Sequence, residues 1–184
     1  MRKVLVFFTA FIVMAAFAGI ASGAATDTPN TVRVTGTGIF KRNALVAETL
    51  SFQPGSISVT SGSEITFVNA AGSDPHTVTI VDKSARPSSF DEVFQCGSSK
   101  KDPCGAALAA HFPKNAPPVV QVDTDSTPGL SAVGDSLLLC PNPNLQQETC
   151  DRGSVGWVVS APAGSTLYYL CAIHPWMQGV IKVK

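Results

Sequence analysis

From residue 32 to residue 183 the chain keeps returning to one pattern. Short segments of β-branched, aromatic and aliphatic residues are each closed off by turn formers. The apolar segments are residues 32–35, 57–60, 64–69, 76–81, 136–139, 155–160, 166–170 and 180–183. The punctuation is Pro54-Gly55, Ser61-Gly62-Ser63, Ala71-Gly72-Ser73 and Ala163-Gly164-Ser165. Segments this short cannot be stable helices, and past the N-terminus no long stretch carries a helical period. Many short strands with Gly/Pro turns must close two sheets on one another to bury their apolar faces, so the expected class is an all-β sandwich. A length of 184 residues with 45% hydrophobic content is enough for one such core. Lys+Arg and Asp+Glu both number 13, which gives a formal net charge of zero. No basic run exists, and that excludes a nucleic-acid binder.

One region breaks the pattern. Residues 82–135 are rich in Pro, Ser, Asp and Lys and poor in strand signals. A structureless loop of about 50 residues does not suit a compact domain. Ser89-Phe90-Asp91-Glu92 has the form of a capping box, and residues 105–111 are Ala-rich. The expectation is an ordered insertion with short helices, too poor in large apolar residues to be a domain of its own. Residues 25–184 then form a single domain.

The first 24 residues are of another kind. Met1-Arg2-Lys3 is a basic start, Val4 to Ile20 is apolar apart from Thr9 and Gly19, and Ala21-Ser22-Gly23-Ala24-Ala25 suits a signal peptidase. Residues 1–24 are expected to be an export signal, cleaved to leave a periplasmic or extracellular protein without a membrane span. An uncleaved segment would serve as an anchor. Cleavage removes two basic residues and leaves 11 against 13 acidic, a net charge of −2. Export implies an oxidising compartment. Of the five cysteines, Cys96 with Cys104 and Cys140 with Cys150 form local pairs across turn-rich loops. Four cysteines allow three connectivities; local pairing is the favoured one, and it leaves Cys171 over.

That odd cysteine begins the strongest signal in the chain, Cys171-Ala172-Ile173-His174-Pro175-Trp176-Met177, on a loop between two expected strands. Thiolate and thioether are soft donors that hold Cu(I), and imidazole suits both copper oxidation states. Completed by one more His, the set is that of a mononuclear blue-copper site. The candidates for the second imidazole are His76, where a turn enters a strand, and His111, in the Ala-rich part of the insertion. A strand end is the stiffer platform, so the expected metal ligands are His76, Cys171, His174 and Met177. His111 is expected to be a surface or packing residue. Met177 is the only Met beyond the signal segment.

At these residues the sequence is similar to the cupredoxin family, in particular its plastocyanin/amicyanin type. Pro75-His76 resembles the upstream ligand element, and Cys171-x2-His174-x2-Met177 resembles the short amicyanin-type ligand loop. The resemblance covers about residues 57–81 and 155–184. It implies an eight-stranded Greek-key sandwich with one copper at one end. It also implies single-electron transfer between redox protein partners, rather than an enzyme's conversion of a substrate, in a chain expected to be a monomer. Two departures stand out. His76 and Cys171 are 95 positions apart, which the insertion explains, and Thr77 stands where many members have an Asn tying the ligand loops together. Pro175 and Trp176 are expected to surround the His174 edge with apolar surface suited to brief partner encounters. Rival readings are a copper-storage or delivery protein, a fragment of a copper enzyme, and a structural domain with a vacant site. The first usually needs Met- or His-rich surfaces, and the second needs further His ligands.

Overall fold

The computed structural model describes residues 29–71, 74–141 and 153–184. The signal segment 1–24 lies outside them. In chain order the elements are β1 (Thr31–Thr35), β2 (Gly38–Lys41), β3 (Leu45–Glu48), β4 (Ser51–Gln53), β5 (Ser56–Val59), β6 (Glu64–Asn69), β7 (His76–Val81), α1 (Phe90–Gln95), α2 (Pro103–His111), β8 (Gln121–Val122), β9 (Ser136–Leu139), β10 (Ser154–Val158), β11 (Thr166–Leu170) and β12 (Gln178–Val183). One sheet has the order β10-β6-β1-β4 and the other β5-β12-β11-β7-β9-β8; β2 and β3 pair only with each other. The pairs β1–β6 and β12–β5 are parallel and the rest antiparallel. The chain passes repeatedly from one sheet to the other, giving a Greek-key β-sandwich.

Alternation does the sorting. In β1 and β6 every second residue is buried, with Val32, Val34, Ile65 and Phe67 facing inward. They meet Val78, Ile80, Tyr169 and Ile181 from the opposite sheet in one apolar core. The Tyr169 ring packs edge-on against Phe52 at 5.0 Å and Phe67 at 5.7 Å, the offset geometry that aromatic quadrupoles favour. Gly179 lies beneath that ring, where any Cβ would collide with the Tyr169 hydroxyl.

The eight strands read from sequence are all present, with ends shifted by two residues at most. The additional ones are the β2–β3 hairpin, the three-residue β4 and the two-residue β8. The segment 82–135 carries a 3-10 turn at Lys83–Ala85 and two short α-helices. Ser89 caps α1 by accepting from Glu92 N at 3.3 Å, but the Glu92 carboxylate takes the Ser88 amide, at 2.6 Å, in place of the Ser89 amide of a regular capping box. Asp102 caps α2 by accepting from Gly105 N at 2.8 Å, with Pro103 in the first turn. The Cys96–Cys104 disulfide joins the end of α1 to the start of α2. The other expected bridge ends on Cys150, which lies outside the described residues.

Helix α2 covers the outer face of the larger sheet. Cys104 and Ala107 pack with Val81, Leu170 and Ala172 in a second apolar cluster. This is why β7 and β9 are buried at every position and read in sequence as continuous apolar runs. Strand β8 then extends the same sheet at β9, so the insertion is built into the sandwich.

Candidate metal centre

His76 opens β7 directly after the Asp74-Pro75 turn. The Asn69 side-chain amide pins that turn by donating to Asp74 O at 2.8 Å and to Cys140 O at 3.1 Å. Cys171 leaves β11, and its backbone N–H donates to Met177 O at 3.0 Å. Met177 N in turn donates to His174 O at 2.8 Å. These two bonds fold residues 171–177 into a tight loop before β12 begins. The loop is thus held by its own backbone and by the two strands it connects.

This framework brings three of the sequence-identified residues together at one end of the sandwich. His76 Nδ1 and His174 Nδ1 are 3.1 Å apart, and Cys171 Sγ lies 3.9 Å from the first and 3.7 Å from the second. His76 and Cys171 have no solvent exposure and His174 is 8% exposed. A triangle with these edges has a circumradius of about 2.1 Å, so one point lies at bonding distance from all three atoms, given metal–N and metal–S bonds near 2.0–2.3 Å. Met177, 1% exposed, packs in the same core as Cys171. A thiol, two imidazoles aimed by the same nitrogen and a thioether on the same loop fit a soft, redox-active ion, and copper above the others.

Electrostatics agree with a site that prefers a metal to protons. Burial drives the His76 pKa down from 6.5 to about 4, with the adjacent His174 adding to the effect and Asp74 opposing it. Burial also lowers the His174 pKa, against the pull of Glu48 and Asp74. The Cys171 thiol is pushed up by burial, partly offset by amides of Thr77, His174 and Ile173. Neutral imidazoles are ready to ligate, and a bound cation would supply the charge that the buried thiolate needs.

The two ligand elements are tied to one another through Thr77. Its N–H points at Cys171 Sγ, 3.3 Å away, and its hydroxyl oxygen accepts from Ala172 N at 2.7 Å. Thr77 thus joins the His76 strand to the Cys171 loop. A Greek-key sandwich with these donors at one end is the arrangement that the resemblance to cupredoxins implies.

No family model matches the chain, and no curated protein does. Among solved structures it is similar to auracyanin A, a blue copper protein of Chloroflexus aurantiacus, at 18% identity and a TM-score of 0.40, covering 85% of this chain and 100% of that one. It is also similar to a reduced point mutant of amicyanin, at 13% identity and a TM-score of 0.39, covering 88% and 87% of the two chains. The copper-containing nitrite reductase of Thermus scotoductus matches at 14% identity and a TM-score of 0.38, covering 85% of this chain and 22% of that one. What this site can hold is therefore read from its own atoms.

His111 stands apart from the donor triangle. It is wholly buried, so of the two roles expected for it the surface one is excluded and packing remains. Cys96, Asp102 and Cys104 also lie close together, but the two cysteines are spent in their disulfide. Glu48 is a neighbour that no motif singles out: its carboxylate lies 3.9 Å from His174 Nε2. It sits at the foot of the β2–β3 hairpin, where the register puts it on the same face as Phe40 and Val46, each 74% exposed. On the other side of the His174 ring stands Trp176, edge-on at 5.2 Å and 40% exposed. That exposure rules out Trp176 as a buried plug of the sandwich. Among the described residues no helix is long and apolar enough to cross a membrane.

Proposed function

We propose that this chain is an exported mononuclear copper protein that carries single electrons between redox protein partners, with His76, Cys171, His174 and Met177 as ligands. The observation that carries the reading is the donor triangle of two Nδ1 atoms and one thiol sulfur, buried at the end of a two-sheet sandwich. Copper, when bound, supplies a Cu(I)/Cu(II) couple. The chain's own part is to keep the donors still. His76 is fixed by a strand end, while Cys171 and His174 are fixed by a loop closed on its own backbone and clamped by Thr77. A framework that does not rearrange suits both oxidation states, because little has to move when an electron enters or leaves. Burial excludes water and competing ligands. The one donor edge not fully covered is that of His174, bordered by the exposed Trp176 indole, with the Glu48 carboxylate 3.9 Å from its Nε2. A small apolar border desolvates easily and releases quickly, as brief encounters require. With a net charge of −2 expected after cleavage, steering by charge is weak.

This reading makes the protein a carrier and no enzyme. A copper enzyme of the two-centre kind needs further imidazoles. The only other one, His111, is bound up in the core between Val119 O and Ser136. Voltammetry of the protein with added copper tests the proposal. One equivalent should bind and cycle reversibly, retained in both oxidation states. Uptake of several equivalents, or loss of the metal on reduction, would support storage or delivery instead.

A further inference from the structure

His111 ends α2 inside the protein, and its ring contacts dictate a direction. Nδ1 is 2.6 Å from Val119 O. A carbonyl only accepts, so Nδ1 carries the ring proton. Burial holds the imidazole pKa below its ordinary value and the ring neutral, which leaves Nε2 as an acceptor. Ser136 Oγ, 2.7 Å away, must donate to it. With its proton committed, the Ser136 oxygen accepts from Thr79 Oγ1 at 2.7 Å, and the Thr79 oxygen accepts from Thr77 Oγ1 at 3.1 Å. Thr77 has then also committed its proton. Its oxygen is left as an acceptor, and Ala172 N–H occupies it at 2.7 Å. His111, Ser136 and Thr77 have no exposure and Thr79 has 2%, so solvent does not compete for any of these bonds.

We propose that His111 is a positioning residue for the metal centre: through Ser136 and Thr79 it orders a one-way chain of hydroxyls that fixes Thr77 as the acceptor for Ala172, and so clamps the Cys171 loop to the His76 strand. The insertion thereby acts on the metal loops from outside the ligand set, because α2 delivers the imidazole that anchors the chain and packs Cys104 and Ala107 against Ala172. Without an acceptor at its end the chain loses its direction. Thr77 can then turn its proton toward the position that Ala172 N–H needs. The inference rests on the copper reading only in naming the clamped loops a metal centre.

The test uses the full-length, metal-free protein and reads amide hydrogen exchange at Ala172. His111→Leu, Ser136→Ala and Thr79→Val each interrupt the chain at a different residue. Each should speed exchange at Ala172 by about tenfold, the equivalent of one net hydrogen bond. The amide of Val159, bonded to Ser63 O outside this chain of hydroxyls, should stay as in the wild type. His111→Gln keeps an acceptor oxygen where Nε2 stood and should keep Ala172 slow. Two results would overturn the proposal. One is an unchanged Ala172 rate in all three interrupting variants. The other is equal acceleration of Ala172 and Val159 with no rescue by Gln, which is what a merely structural histidine would give. The readout needs no metal. A protein with the expected pattern that binds no copper refutes the proposed function and leaves the relay standing, whereas a copper-binding protein without the pattern does the reverse.

Discussion

The buried imidazole of His76 makes the metal-free protein acid-sensitive in a window that histidines alone control. The folded His76 pKa is about 4, against 6.5 for the unfolded chain. The unfolded state therefore takes up the proton first, and stability must fall as pH drops from 6.5 toward 4. Between pH 6.5 and pH 5 the loss from this one group is about 1.6 kcal/mol. His174 and His111 are shifted in the same direction, each mainly by burial, so both steepen the fall. The depressed carboxylates Glu92, Asp102 and Asp135 act lower on the scale. Their contribution is present above their ordinary values of 4.5, 3.8 and 3.8, and is lost as pH falls through the folded ones. The chain has three histidines in all, so the slope between pH 6.5 and 5 reports those three. Urea denaturation of the metal-free protein across that window, for wild type and for His76→Asn, measures the term. The variant should recover about 1.6 kcal/mol of the acid loss. An acid loss equal to that of wild type would refute the reasoning, because it would mean that His76 is not held neutral by the fold. Occupation of His76 Nδ1 by a metal should leave the wild-type slope at least as steep, because the folded state then takes up no proton there while the unfolded chain still does.

Three further outcomes are expected. Trp176→Ala should slow electron exchange with a redox partner while costing about 1 kcal/mol or less of stability, because the indole is 40% exposed; normal exchange kinetics in the folded variant would remove Trp176 from the docking surface. The Cys96–Cys104 bridge closes a loop with a sequence separation of 8, worth about 2.5 kcal/mol in the chain-entropy model. The Cys96→Ser/Cys104→Ser double variant should lose roughly that much in denaturant titration. Non-reducing peptide mapping should also recover Cys140 joined to Cys150, and a peptide crossing the two pairs would contradict local pairing.

Much of the fold was legible because its strands obey a period of two or read as unbroken apolar runs. What escaped notice lacked that signal. The hairpin β2–β3 is exposed on both faces, with Phe40 and Val46 on one and Ile39 and Leu45 on the other. No alternation marks it, and nothing in its sequence shows that Glu48 will come to rest beside His174. Strands β4 and β8 are three and two residues long, shorter than any pattern can specify. The ligand loop was legible because Cys171, His174 and Met177 are adjacent in the chain, whereas the choice of His76 over His111 rested on the stiffness of a strand end. The hydroxyl chain from His111 was out of reach. Thr77, Thr79, Ser136 and His111 come from three separate elements, and each looks like an ordinary polar residue until the sheet places β7 beside β9 and α2 above them.

The central claim is that Cys171 binds copper as a thiolate together with His76 and His174. The visible absorption spectrum of the protein with one equivalent of Cu(II) tests it most directly. The expected result is an intense blue band from the copper–thiolate bond, abolished in Cys171→Ser, whose hydroxyl is a harder and less readily ionised donor, and lost or distorted in His76→Ala. A colourless protein, or a Cys171→Ser variant that keeps the full colour, would contradict it.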